Sequence, residues 1–338
     1  MRPLKHLKLP RATLSGFFAL FLVALTGTAF LASAEGGNFL LITGASVRVR
    51  STPATSGAEV GKLRLGEVVE QRAKSAKKEK IGKMEDFWFQ VRLPDGKDGW
   101  VFGGFARGFA EGEKEDAYLK MVRERIQAES ANPNDWWELW RLIESILPSV
   151  ASVEVRPYLE LARLQALQGF LNTRKREGTM TDFPQEPELQ DLKTQMVYSE
   201  PAGQWMLERS LYMDLYERNR KKPAGDEILW VATNSPMPGE TEGFAPAVMQ
   251  VVLSVGIRYL EDFPKGRHSE GALKNISEWL KIIQTPLDKD LKKYPDDLQV
   301  LKKGLEQIEA VMKTVSNPLV ADVLKEKERI KTALSEVE

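Results

Sequence analysis

Hydrophobic and polar residues follow two different periods along this chain, and the change from one to the other falls near Gly108 to Lys114. Before that point, short runs alternate with period two and end in glycine, proline or aspartate. After it, long segments carry apolar residues at three- and four-residue spacing. Period two marks a strand with one buried face, and the longer period marks a helix with one buried stripe. The pattern predicts an α+β multidomain chain, with a small β-barrel first and a mostly α-helical region after it.

In the first part, Phe39 to Ile42 and Ser46 to Arg50 read as strands, the second with Val47 and Val49 inward and Arg48 and Arg50 outward. Ser51-Thr52-Pro53 ends that pairing. Gly61 to Gly66 reads as a glycine-bounded corner into a strand from Glu67 to Arg72. Lys74 to Lys83 is a charged insertion expected to form a solvated hairpin tip with little order. Phe87 to Leu93 is the strongest strand. Pro94-Asp95-Gly96-Lys97-Asp98 is a tight turn whose Asp-Gly pair tolerates positive φ, returning the chain as a hairpin into Gly99 to Phe102. Phe87, Phe89 and Val91 share one face of that strand, and Trp88 and Gln90 share the other, so one aromatic set is expected to line a groove. Trp88, Trp100, Phe102 and Phe105 are the candidate ligand-binding residues. The competing expectation is that they fill a very small core.

Val47-Arg48-Val49-Arg50-Ser51 with Pro53, Gly61 with Leu63 and Gly66, Trp88 with Val91, and Gly99-Trp100-Val101 together resemble the bacterial SH3 (SH3b) family over residues 38–106 or so. The resemblance implies an SH3-like barrel that binds cell-wall peptidoglycan or a peptide. Two features depart from the family pattern: the lysine-rich insertion after Arg72, and Phe102-Gly103-Gly104-Phe105. Both stand where they could reshape one rim of a groove.

In the second part, Trp136, Leu139, Trp140, Ile143, Ile146 and Leu147 make one apolar face, with Asn134 or Asp135 placed to cap and Pro148 to stop the helix. Trp137 falls off that stripe and is expected to pack on a neighbouring helix, the alternatives being the barrel or a partner. Tyr158 to Leu171, Trp205 to Tyr216, Phe244 to Phe263, Ala272 to Ile283 and Leu298 to Val315 repeat the helical pattern. Pro318 to Val337 is more charged and is expected to lie outside or dock weakly. Proline-, glycine- and acid-rich connectors, Met180 to Glu188 and Asn234 to Gly243, separate the helices, which predicts antiparallel pairs. Tyr259-Leu260-Glu261-Asp262-Phe263-Pro264, then Ser269-Glu270 and Ala272-Leu273, is similar to tetratricopeptide-like envelope proteins, and Lys292 to Asp297 echoes it. A helical-repeat domain and an irregular helical bundle both remain open.

At 338 residues the chain has material for two such domains. Its first 34 residues read differently: Arg2, Lys5, Lys8 and Arg11 precede a nearly apolar run, Leu14 to Leu31, and Ala32-Ser33-Ala34 before Glu35 has the form of a signal-peptidase site. An uncleaved anchor is the alternative. The expected boundaries are 1–34 for a signal peptide cleaved after Ala34, 35–110 for the barrel and 111–338 for the helical domain. Removing those four cations takes the formal net charge from zero to −4 and leaves His268 as the one histidine. A mildly acidic chain without a basic stripe makes nucleic acid an unsuitable partner. Zero cysteine in an exported chain fits a bacterial periplasm or cell envelope and excludes a lipid-acylated cysteine.

Without cysteine, and with one histidine, neither a cysteine–histidine hydrolase nor a histidine-held zinc site can be built. His268 is expected to be an exposed turn residue between helices. Ser75-Ala76-Lys77-Lys78 has the serine–lysine spacing of penicillin-binding enzymes without the companion motifs. Paired acids, Glu240 with Glu242 and Asp226 with Glu227 nearby, keep a carbohydrate-active hydrolase as the alternative function. The favoured expectation is an exported, non-enzymatic binding protein with no cofactor and no metal. Its barrel would hold peptidoglycan or a peptide, and its helices would act as a scaffold or recruit an envelope protein. No membrane contact is expected beyond the signal segment. A third reading makes the helical part an assembly or inhibitor module that the barrel tethers.

Overall fold

The computed structural model describes residues 39–174 and 182–337, so the expected signal peptide and Met180 lie outside the described residues. Period-two alternation builds the strands where it was expected: β1 (Phe39–Ile42) and β2 (Ser46–Arg50). Next come β3 (Glu59–Arg64), β4 (Val68–Lys74), β5 (Glu79–Ile81), β6 (Met84–Asp86), β7 (Trp88–Arg92), β8 (Asp98–Phe102) and β9 (Ala106–Phe109). Seven of them form one antiparallel sheet in the order β3-β2-β8-β7-β4-β1-β9, while β5 and β6 pair only with each other. The large sheet curls around Leu40, Ile42, Val49, Leu63, Val91 and Val101, all essentially without exposure. This is an SH3-like barrel.

Three details differ from the sequence pattern. The segment Gly61 to Arg64 is strand rather than corner, because Val47, Arg48 and Val49 pair with Leu63, Lys62 and Gly61; the corner is at Gly66, whose φ is +81°. The chain adds β9 after Phe105, paired along the whole of β1. The lysine-rich insertion is ordered. Glu79, Lys80 and Ile81 pair with Asp86, Glu85 and Met84, and Gly103 and Gly104 leave the space into which Asp86 and Met84 pack. A Cβ on Gly103 would stand 2.8 Å from Asp86 Cγ, and one on Gly104 would stand 3.0 Å from Met84 Sδ.

The remaining elements are α1 (Lys114–Gln127), α2 (Pro133–Ile146), α3 (Val155–Thr173), the short α4 (Pro187–Gln190), a hairpin of β10 (Met196–Ser199) and β11 (Gln204–Leu207), and α5 (Arg209–Asn219). After these come α6 (Gly225–Asn234), α7 (Ala245–Val252), one π-helical turn at Leu253–Ile257, α8 (Arg258–Asp262), α9 (Ser269–Ile282), α10 (Pro295–Met312) and α11 (Val320–Ser335). The apolar stripe of α2 is buried from Trp136 to Ile146. Its cap is Asn132, whose side chain accepts from the Asn134 amide at 3.1 Å, and not Asn134 or Asp135. Pro133, with φ already fixed near the helical value, starts the helix earlier than the apolar stripe does. Trp137 stacks on Trp140 and meets Phe170 of α3 at a tilt of 38°, each at 4.8 Å between ring centres, so it packs on a neighbouring helix.

Trp205 to Tyr216 was expected to be one helix. Its first residues form β11 instead, paired from Met196↔Leu207 to Ser199↔Gln204, and the buried Gln168 of α3 accepts from the Leu207 amide at 2.9 Å. Phe244 to Phe263 is interrupted by the π-helical turn. Pro318 to Val337 does not dock weakly. α11 buries Val323, Ile330 and Leu334, and Arg329 donates to Leu280 O and Ile283 O at the end of α9, both at 2.9 Å. The two tetratricopeptide-like echoes occupy unlike places: the first closes α8 before α9, and the second spans a 3-10 turn and the start of α10.

The barrel keeps a core of its own, and the helical core extends onto its outer side. Leu41 and Phe109 belong to the cluster that holds Tyr118, Val122 and Leu139. Tyr118 Oη donates to Gly66 O at 2.9 Å, and Arg125 Nη2 donates to Thr43 O at 2.6 Å. Among the described residues, no helix is long and apolar enough to cross a membrane.

Candidate functional site

Alternation on the β7–β8 hairpin decides what its aromatics face. Val91 and Val101 point into the barrel core with Phe89 beside them, so Trp88 and Phe102, cross-strand partners, are on the opposite face. An outward Trp and Phe would normally meet water. Here they are 3% and 2% exposed, because the β5–β6 hairpin and the turn at Gly103–Phe105 fold over them. The rings of Trp88 and Phe102 meet edge-on at 5.6 Å, and Phe102 meets Phe105 in the same way at 6.0 Å.

Beside this aromatic wall lies a cavity of about 290 Å³. Trp88, Phe102, Phe105 and Ile81 of β5 form its apolar side. Gly44 to Arg48 on the way into and along β2, with Arg50 and Thr55, form the other. Three of the four aromatics singled out in the sequence therefore converge on one cavity. Trp100 does not line it; it is half-buried further along β8, opposite Arg50 on one side and Gln90 on the other.

The polar groups at this site were not picked out as functional from the sequence. Arg48 and Arg50 are carried outward by the alternation of β2, which was legible. What was not legible is that the turn after β2 and the inserted hairpin would bring Thr55 and Ile81 to the same cavity as these two side chains. Arg50 Nη1 donates to Gly57 O at 2.9 Å, fixing its guanidinium along the turn, and the exposed Arg48 reaches Glu59 at 3.4 Å. From the insertion, Glu79 accepts at one carboxylate oxygen from the Trp88 indole N–H and at the other from Thr55 Oγ1 at 3.1 Å. The arrangement can hold a ligand with an apolar body against the aromatic wall and a negative group toward the arginines.

Residues weighed for catalysis are placed otherwise. Ser75 Oγ donates to Lys77 O and accepts from the Trp88 amide, which is local turn bonding. Asp226 accepts from Tyr259 Oη and from the Arg267 amide, and Glu227 pairs with Arg123 and Arg267, so both acids brace the helices. Glu242 lines a different cavity with Asp288, which caps a 3-10 turn, while Glu240 is not part of its lining. His268 is not an exposed turn residue. It lies flat on Trp230 at 4.9 Å with its Nε2 buried and unpartnered. Burial holds its imidazole below the usual value, against the raising effect of Asp226 and Glu227. No group of three or more His, Cys, Asp or Glu placed to hold a metal occurs among the described residues.

Comparison with curated proteins gives no match. The strand order, the alternation of β2 and the Trp88–Phe102 hairpin agree with what a comparison of families finds: residues 45–106 match the family model of the bacterial SH3 domain.

Proposed function

We propose that this chain is an exported, non-enzymatic binding protein of the cell envelope whose barrel holds a peptide portion of cell-wall peptidoglycan. Bacterial SH3 domains are commonly cell-wall binding modules, and the match covers the strands that form the cavity. The observation that carries the reading is the convergence of Trp88, Phe102 and Phe105 with Arg48 and Arg50 around one cavity of about 290 Å³. Aromatic walls supply dispersion and apolar burial, and two guanidinium groups supply orientation and charge. The helical region, with its own large core, serves as a scaffold and a surface for a protein partner.

The test is co-sedimentation of the full chain with isolated cell-wall sacculi. Wild type is expected in the pellet, and the double substitution Arg48→Ala, Arg50→Ala is expected to weaken binding by roughly ten- to a hundredfold, as loss of charge-assisted contacts does. Recovery of all protein in the supernatant, with one envelope protein captured instead from extract, would overturn wall binding in favour of an interaction module. Release of sugar or peptide fragments from the sacculi, abolished by Glu240→Gln, would overturn the non-enzymatic reading.

A further inference from the structure

A carboxylate already stands beside the cavity, bonded to two of the residues that line it. Glu79 is half-buried and accepts from two of the uncharged side-chain donors that line the cavity, the buried Trp88 indole N–H and the Thr55 hydroxyl. An indole N–H in a buried ring costs free energy when left without an acceptor, so this position demands one. Arg48 and Arg50 line the same cavity and favour a negative acceptor over a neutral one.

The element that brings Glu79 here is only lightly held. β5 and β6 are three residues each, pair with each other alone, and form no ladder with the seven-stranded sheet. A two-stranded hairpin of this length is marginal by itself. Its attachment consists of the Glu79 bonds, Ile81 against the cavity and Met84 and Asp86 over the glycine turn. Lifting the hairpin would break no ladder of the seven-stranded sheet and would uncover Trp88 and Phe102, the apolar wall a ligand would then cover.

We propose that the cavity recognises a free carboxylate at the end of a peptide, that Glu79 occupies the same position from within, and that the ligand displaces the β5–β6 hairpin from Trp88 and Thr55. This rests on the reading of the cavity as the ligand site of the barrel. The ligand is then an acidic peptide end whose carboxylate accepts from Trp88 and Thr55 and faces Arg48, with its apolar side chain against Phe102 and Phe105. Such an internal competitor lowers apparent affinity by the fraction of time it leaves the site open.

The experiment follows the Trp88 indole N–H resonance of the full chain by NMR, assigned with Trp88→Phe, during titration with acetyl-trialanine bearing a free carboxylate and with its C-terminal amide. The carboxylate peptide is expected to shift the resonance and the amide to leave it in place. In Glu79→Gln, which has one acceptor oxygen in place of two and no charge, the internal competitor is weakened and the carboxylate peptide is expected to bind more tightly, by up to about tenfold, the limit for a competitor that closes the site nine-tenths of the time. Equal response to both peptides, no response to either, or unchanged or weaker binding by a folded Glu79→Gln variant overturns the proposal. Sacculus binding without a carboxylate-dependent shift at Trp88 would leave the wall-binding reading standing and remove this one. A carboxylate-dependent shift without sacculus binding would do the reverse.

Discussion

His268 shows how one side chain can set a pH dependence without taking part in binding. Its ring lies parallel to Trp230 within 5°, Tyr259 meets it edge-on at 6.2 Å, and its Nε2 has no hydrogen-bond partner. Burial disfavours the imidazolium and Arg267 adds to that, while Asp226 and Glu227 oppose it; the net effect lowers the pKa from 6.5. The folded protein thus binds this proton less readily than the unfolded chain does. Stability from this group is present above 6.5 and lost as the pH falls from there through the folded-state value. His268→Phe keeps a flat ring and removes the titration. Thermal melts at about pH 8 and about pH 5.5 are expected to show a smaller loss of Tm on acidification for the variant than for wild type. Equal losses would mean that the stacked imidazole does not contribute. The position was visible in the sequence only as a histidine beside a turn. Its burial depends on Trp230, which is 38 positions away along the chain, and no local pattern reports that contact.

Elements were legible where one periodicity decided them. The stripe of α2 and the alternation of β2 needed no tertiary help, because each buries the face that its spacing defines. Legibility failed where pairing overrode spacing: Trp205 to Leu207 fit a helix, yet Met196 to Ser199 supply a strand partner and Gln168 an acceptor. The ordering of β5–β6 likewise depends on Gly103 and Gly104, about twenty residues on, and on the aromatic face beneath it. Half of the candidate site was therefore readable as aromatics, while its enclosing half, Glu79, Ile81 and Thr55, was not. Packing between elements also reverses a local rule at Gly169 of α3. Alanine there would ordinarily favour the helix by about 1 kcal/mol. Its Cβ would stand 2.5 Å from Trp136 Cδ2, and that ring is buried with its N–H donating to Ser130 O at 2.7 Å, so it has little freedom to give way. Overpacking of this kind costs about 1–3 kcal/mol. Gly169→Ala is expected to lower the urea midpoint, with a net loss of up to about 2 kcal/mol in stability; a raised midpoint would show that α2 yields.

At the scale of the whole molecule, the barrel and the helices cannot be treated as two beads on a string. A barrel of this size has a small core of its own, and Leu41 and Phe109, two of its buried residues, complete the helical core instead. Tyr118 and Arg125 of α1 bind backbone carbonyls at Gly66 and Thr43, and Arg107 of β9 pairs with Glu124. Separating the two parts would expose Leu41, Phe109 and the half-buried Phe39, Leu65 and Val68, and would leave two barrel carbonyls without these donors. Heat should therefore unfold residues 39–337 as one cooperative unit, with a calorimetric to van't Hoff enthalpy ratio near one. Two resolved transitions, with the barrel melting apart from the helices, would sink this prediction. Coupling of this kind has a consequence for binding. A ligand seated against Trp88 stabilises only the folded barrel, and because the barrel unfolds with the helices, saturation should raise the single transition of the entire chain. The cavity is then held in a fixed direction relative to the helical surface, so whatever the barrel grips is presented to a helix-bound partner in one orientation.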